Sequence, residues 1–218
     1  MSLRPNDWNV VIAGYWNLAI LSPAGIARRV FRLPEETPVE VLVPLDGVAP
    51  LQVRHNGIGV VPSKDRLVVV PQVANASTLD AAKAIAANIL RDLPETPVHA
   101  IGVNIRFKSV QSDLTDNLLH LLEHDSDNRL SDSGFAIISR SLGRSVPWNG
   151  GVLNISVTED DKQLCHVLFN FDLKSNDFEA LSKWVERPSR EFLDQVEALI
   201  QNYFSAEIEV EMGDTTDD

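Results

Sequence analysis

The sequence predicts an α+β fold built from two halves that share one element order, β-α-β-β-β-α. Three observations predict it. Short apolar or alternating runs of strand length recur between turn residues in each half. A capped, alanine-rich helical run closes the first half, and a longer helical region closes the second. The stretch IAGYWN at 12–17 echoes AIGVN at 100–104, at equivalent places in the order. We therefore expect a tandem duplication whose strands form one curved antiparallel sheet with the helices packed on one face. The first half spans 1–95 and the second 96–211, in one continuous globular unit, and 212–218 read as an acidic disordered tail.

Each element has its own reason. Residues Asn9 to Leu21 are apolar and aromatic and read as a strand. In SPAGIARRVFRLP, Ser22 suits the N-cap, Pro23 the first helical position, and Pro34 ends the helix. Three strand candidates follow. PVEVLVPL places Val39, Val41 and Val43 on one face. LQVRHNGIGVV alternates up to a kink at Gly57, and RLVVVPQ is a continuous apolar run. STLDAAKAIAANILRDL reads as a helix with Ser77 as N-cap and Pro94 as stop. In the second half PVHAIGVNIRF (97–107) is a strand, and a helix covers roughly Leu114 to His124. The strands GFAIISRSL, GVLNISVTE and QLCHVLFNFDL come next. The last sets Cys165, Val167, Phe169, Phe171 and Leu173 against His166, Asn170 and Asp172. A helical region from about Asn176 to Phe204 is interrupted at Pro188 and places Phe192, Val196, Leu199 and Tyr203 on one stripe. A short AEIEVEM strand adds to an edge.

This order resembles the duplicated plan of the TATA-binding-protein-like and helix-grip folds, in which a curved antiparallel sheet carries long helices on one face. The resemblance is one of topology, with no family motif beside it, and a fold is not a function. The charge argues against the DNA-binding use of that plan. The 218 residues carry 19 Lys and Arg against 31 Asp and Glu, a net charge of −12. Phosphate neutralisation drives nucleic-acid binding, so this balance speaks against DNA, RNA and an anionic membrane surface. No apolar stretch approaches membrane-spanning length, no signal peptide is visible, and the lone cysteine excludes an intramolecular disulfide; a cytoplasmic location is expected.

Only one stretch has a catalytic spacing. LLHLLEH (118–124) fits the H-x-x-E-H signature of a class of zinc peptidases. On a helix His120 and His124 lie one turn apart as metal ligands, with Glu123 beside them as general base. In those peptidases a downstream glutamate completes the set, and Glu191 and Glu197 lie on a downstream helix. Against that reading, DSDNRLSDSG follows as a loop, so the helix ends near His124. There histidine is favoured by the helix dipole alone. Four leucines also leave His120, Glu123 and His124 only the narrow polar edge of an amphipathic helix, which is the preferred reading. Cys165 sits on the apolar side of its strand and reads as a small buried hydrophobe rather than a nucleophile. No G-x-S-x-G, P-loop or G-x-G-x-x-G is present, and no cofactor is implied.

The polar side of the sheet is more informative. Alternation turns Arg54, Asn104, Arg106, Asn154, His166 and Asn170 away from the helix-covered side, where they line a binding groove or simply a solvated face. Trp8, Tyr15 and Trp16 cluster near the start, and Trp148 lies in the loop GRSVPWNGG, as a contact anchor or a cap on the core. The expectation is a non-catalytic binding or interaction protein that assembles with itself or with a protein partner. The alternatives are a zinc-dependent hydrolase using the HLLEH helix and a small-ligand binder with a pocket between sheet and helices.

Overall fold

The computed structural model describes residues 2–45, 50–109, 122, 125–159, 165–204 and 207–208. It is an α+β structure in which eleven strands form one sheet beside helices. The central path runs β3 (Glu40–Leu42), β4 (Gln52–His55), β5 (Ile58–Pro62), β6 (Arg66–Pro71), β2 (Asn9–Gly14), β7 (Val98–Ser109), β10 (Cys165–Lys174), β9 (Gly151–Glu159) and β8 (Ser141–Trp148). All pairs along this path are antiparallel. Beside the far end of β7 lies β1 (Ser2–Pro5), which pairs in parallel with β11 (Glu207–Ile208).

Strict alternation decides which side is wet. Val10 and Ile12 of β2, Leu67 and Val69 of β6, Val103 and Ile105 of β7, and Phe169 and Phe171 of β10 are all fully buried. They share one face with Leu153 and Val157 of β9. Helices cover that face. The helix α2 (Ala76–Asp92) lies against β2, β5 and β6, while α4 (Phe178–Val185) lies against β7 and β10. The Ala82, Ala86 and Ala87 positions let α2 approach the sheet closely. The short helix α1 (Pro23–Arg29) and α5 (Ser189–Tyr203) bury Ile26, Phe192, Val196 and Ile200 in the same core. Side chains of the opposite parity point to the other side, which is helix-free among the described residues.

Local chemistry corrects several sequence expectations. The first strand stops at Gly14 rather than Leu21, because the amides of Tyr15 and Trp16 turn to the carbonyls of Pro97 and Lys64, each at 3.0 Å. Ser22 does cap α1, accepting from the Gly25 amide at 3.2 Å. PVEVLVPL yields only the three residues of β3, the outermost strand of the sheet; Val41 within it is 41% exposed, and Val43, beyond its end, is 70% exposed. LQVRHNGIGVV is not a kinked strand. Asn56 and Gly57 take φ of 47° and 73° and close a two-residue hairpin between β4 and β5, the backbone that an Asn-Gly pair favours. The cap of α2 is Asn75, not Ser77: its side chain accepts from the Thr78 amide at 2.9 Å, and Thr78 reciprocates.

The second half differs at its edge. DSDNRLSD, expected as a loop, is the helix α3 (Asp125–Asp132). GFAIISRSL forms no strand before Ser141; Phe135 and Ile138 are 66% and 94% exposed. GRSVPWNGG, expected as a loop, instead supplies β8 and a second Asn-Gly hairpin, with Asn149 and Gly150 at φ 43° and 81°. Pro147 sits in β8 because an edge strand needs no amide there. The break at Pro188 between α4 and α5 is where the sequence places it. The expected helix from Leu114 to His124 lies outside the described residues apart from Leu122, which is helical and buried.

Candidate binding face

Five neighbouring strands place one polar side chain each in a single cross-strand row. The registers Asn9–Asn104, Asn104–Asn170, Asn170–Asn154 and Asn154–Ser145 are continuous from β2 to β8. All five point to the helix-free side, since Val10, Val103, Phe171 and Leu153 take the core side. The strands are spaced so that opposed carboxamides meet directly.

The row is a hydrogen-bonded chain with one direction. The Ser145 hydroxyl donates to Asn154 Oδ1 at 2.7 Å. Asn154 Nδ2 donates to Asn170 Oδ1 at 2.8 Å, Asn170 Nδ2 to Asn104 Oδ1 at 2.9 Å, and Asn104 Nδ2 to Asn9 Oδ1 at 2.8 Å. Each bond polarises the next, which strengthens such chains where water is thin. Asn9 and Asn104 are only 7% and 8% exposed, whereas Ser145 at the far end is open to solvent. A carboxamide nitrogen carries two N–H groups. Asn104, Asn170 and Asn154 each spend one within the row and keep the second.

Beside the amide row lies an apolar one. Val61, Val68 and Val11 follow one another by register and are half-buried on the same face. With Asn9 and Asn104 they line a groove of about 770 Å³, and Lys64, Arg66 and Arg106 stand at its rim. Leu18, Pro50 and Pro62 also line it. Arg106 is held by Asp7, whose carboxylate and carbonyl lie 3.3 and 3.2 Å from Nη1. Further along the row, Asp172 faces Gly102. Burial pushes its carboxyl above the ordinary carboxylate range, against the pull of Lys174.

The other polar residues singled out from the sequence are spread around this centre. Asn104, Asn154 and Asn170 share the ladder, and Arg106 borders the groove. Arg54 lies two strands beyond β6, donating to Gln52 Oε1 at 3.0 Å, and lines a separate groove of about 440 Å³ with Glu40, His55 and Gln72. His166 is on the open face near the opposite end, level with Lys108 and Thr158. Trp148 belongs elsewhere. It has the parity of Val146 and Leu153, so its ring turns to the core side and packs on Phe171, Phe192 and Trp184 at centroid distances of 4.6, 4.8 and 5.8 Å. Trp8 and Trp16 are buried likewise, and only Tyr15 is exposed. Cys165 is fully buried.

Asn9, Ser145, Lys64 and Arg66 were not singled out from sequence. Asn9 had a signal, since it alternates with Val10 and Ile12 as Asn104 does with Val103 and Ile105. Its pairing with β7 joins residues 95 apart in sequence, and no local pattern announces such a contact. His120, Glu123 and His124 lie outside the described residues, and among those described no group of three metal-ligating side chains comes together. No described helix is long and apolar enough to cross a membrane. The chain matches no protein-family model and no curated protein by sequence.

Proposed function

We propose that this is a non-catalytic cytoplasmic binding protein that engages a protein partner, or a further copy of itself, through the helix-free face of its sheet. The single observation that supports it is the asparagine row. Four carboxamides and a hydroxyl are aligned, mutually bonded and adjacent to a valine-floored groove. Such an arrangement orders hydrogen-bond donors without supplying a nucleophile or a general base. An antiparallel sheet with one face on the core leaves its other face wet by default. A solvated face, though, has no need of two asparagines buried as deeply as Asn9 and Asn104. The sheet also supports the proposed tandem duplication. In each half the first long strand pairs with the last, β2 with β6 and β7 with β10, and the two first strands pair with each other at the centre.

The test compares the wild type with Val68→Glu, which places a charge on the groove floor, and with Glu179→Lys on the exposed helix surface. Sedimentation velocity reads self-association, and mass spectrometry of material purified from the native extract reads partners. The expected result is an assembly shared by wild type and Glu179→Lys and lost in Val68→Glu. A lone monomer without a companion polypeptide in all three would overturn the proposal.

A further inference from the structure

The charge of this protein is distributed against its average. Among the strand positions of the helix-free face whose side chains are described, six are basic, Arg4, Arg54, Arg66, Arg106, Lys108 and Lys174, against two carboxylates, Glu40 and Asp172. The whole chain carries 19 basic and 31 acidic residues. The excess of acid therefore lies on the helices, loops and termini, and the open face is a basic surface on an acidic protein. Lys64 adds a further cation at the groove rim. Among the described residues, Lys64, Arg66 and Lys108 form no salt bridge.

Resting on the binding role proposed above, we infer that the occupant of this face is an acidic polypeptide segment with interspersed aliphatic side chains. Three complementary features converge in one groove. The cations Lys64 and Arg66 at the rim attract carboxylates, beside Arg106, whose charge is shared with Asp7. The floor of Val11, Val61 and Val68 takes aliphatic side chains. The unspent N–H groups of Asn9 and Asn104, the two carboxamides of the row that line the groove, meet acceptors, which a polypeptide offers at every carbonyl and a carboxylate offers twice. A nucleic acid fits less well. Single strands are held by stacking on aromatic rings, and the described open-face strand positions carry no Phe, Tyr or Trp and a lone imidazole, His166, far from the groove. The acidic remainder of the molecule also repels a long polyanion, whereas a short acidic segment meets only the basic face.

The experiment is fluorescence anisotropy on the intact chain with a fluorescein-labelled peptide of Glu, Leu and Gly. The same peptide with Lys for Glu and a labelled oligothymidylate serve as comparison probes. The acidic peptide is expected to bind, with an affinity that falls as salt rises. Arg66→Glu, an exposed change whose fold is checked by circular dichroism, is expected to weaken it by about tenfold or more. Preference for the lysine peptide or the oligothymidylate overturns the inference, as does an affinity unchanged by Arg66→Glu. If the acidic peptide fails while Val68→Glu still abolishes the native assembly, the partner chemistry is wrong and the binding face stands. If both fail, both readings fall together.

Discussion

Replacing Asn104 with leucine tests whether the amide row is part of the fold's energetics. Asn104 accepts from Asn170 at 2.9 Å and donates to Asn9 at 2.8 Å. Two hydrogen bonds are lost, each worth about 1 kcal/mol net. Asn9, 7% exposed, is then left with an acceptor that little water reaches, which costs about 1–3 kcal/mol more. The leucine side chain recovers about 1 kcal/mol of this through burial. The net cost is roughly 2–4 kcal/mol, which in a chain of this size lowers Tm by about 5–15 °C. Asn154→Leu breaks an equal number of bonds, but Asn154 and its neighbour Asn170 are half-buried and Ser145 is exposed. Water replaces those bonds, so the cost is about 1 kcal/mol or less. Removing both members of the inner pair, Asn9→Leu with Asn104→Leu, leaves no orphaned acceptor between them and costs less than the sum of the two single changes. Urea denaturation of the four variants measures all of this. Equal costs for Asn104→Leu and Asn154→Leu, or strict additivity in the double variant, would refute the reasoning.

Three further outcomes follow from the helix side and the hairpins. Lys83 is 2% exposed, and its Nζ bonds Asp80 at 3.1 Å, Ser189 Oγ at 2.9 Å and the Arg187 carbonyl, above the Phe192 ring at 5.0 Å. Burial lowers its pKa from 10.5, with Asp80 opposing the shift. Between the lowered value and 10.5 the native state binds fewer protons than the unfolded chain, so this group's contribution to stability grows as pH rises through that window. Lys83→Met should cost about 2 kcal/mol near neutrality and abolish that upward slope, measured by urea denaturation at a series of alkaline pH values. Trp148→Ala should cost about 3 kcal/mol and remove much of the near-ultraviolet dichroism, since the ring packs on Phe171, Phe192 and Trp184. In the second hairpin, Gly151→Ala brings a Cβ to 2.3 Å from the Asp172 carbonyl and should cost about 2 kcal/mol. Gly150→Ala meets no neighbour but keeps a φ of 81°, and thermal melts should show about half that loss.

What the sequence disclosed was governed by the range of the interaction. Alternation in QLCHVLFNFDL is local, and β10 follows it from Cys165 to Lys174. The same rule put Asn104, Asn154 and Asn170 on one face, because parity needs no knowledge of pairing. Register is another matter. That Asn104 opposes Asn9 depends on two strands 95 residues apart finding a particular alignment. The edge strands misled for a related reason. β3 and β8 each have a neighbour on one side only, so their composition is under weaker demand. Val41 and Val43 mimic burial there, while Gly143 and Pro147 sit in a strand that their types argue against. Both Asn-Gly pairs are strong hairpin signals. The first is harder to read as a hairpin than as a kink, since the strands on either side of it, β4 and β5, are only four and five residues long.

The two halves are alike in path and unlike in what they place on the open face, and that contrast bears on how the face works. From β2 to β8 the ladder row is Asn9, Asn104, Asn170, Asn154 and Ser145. On the other side of β2 the strands offer Val70, Gly59 and Arg54 instead, with the Gln52 side chain lying over Gly59. A duplicated framework would begin with equivalent positions. Here the second half carries all the bonded amides but Asn9, and the first carries Asn9 with the valine floor of the groove. Their junction is the β2–β7 seam, where Asn9, Val11, Asn104 and Arg106 converge. An occupant lying across that seam would touch ordered donors on one side and apolar surface on the other, so it binds in one orientation. Reversing it would set aliphatic side chains against unspent N–H groups, a mismatch of about 1–3 kcal/mol for each donor left unpaired. Directional binding of this kind needs the asymmetry between the two sides of the seam, and neither side alone contains the complete groove.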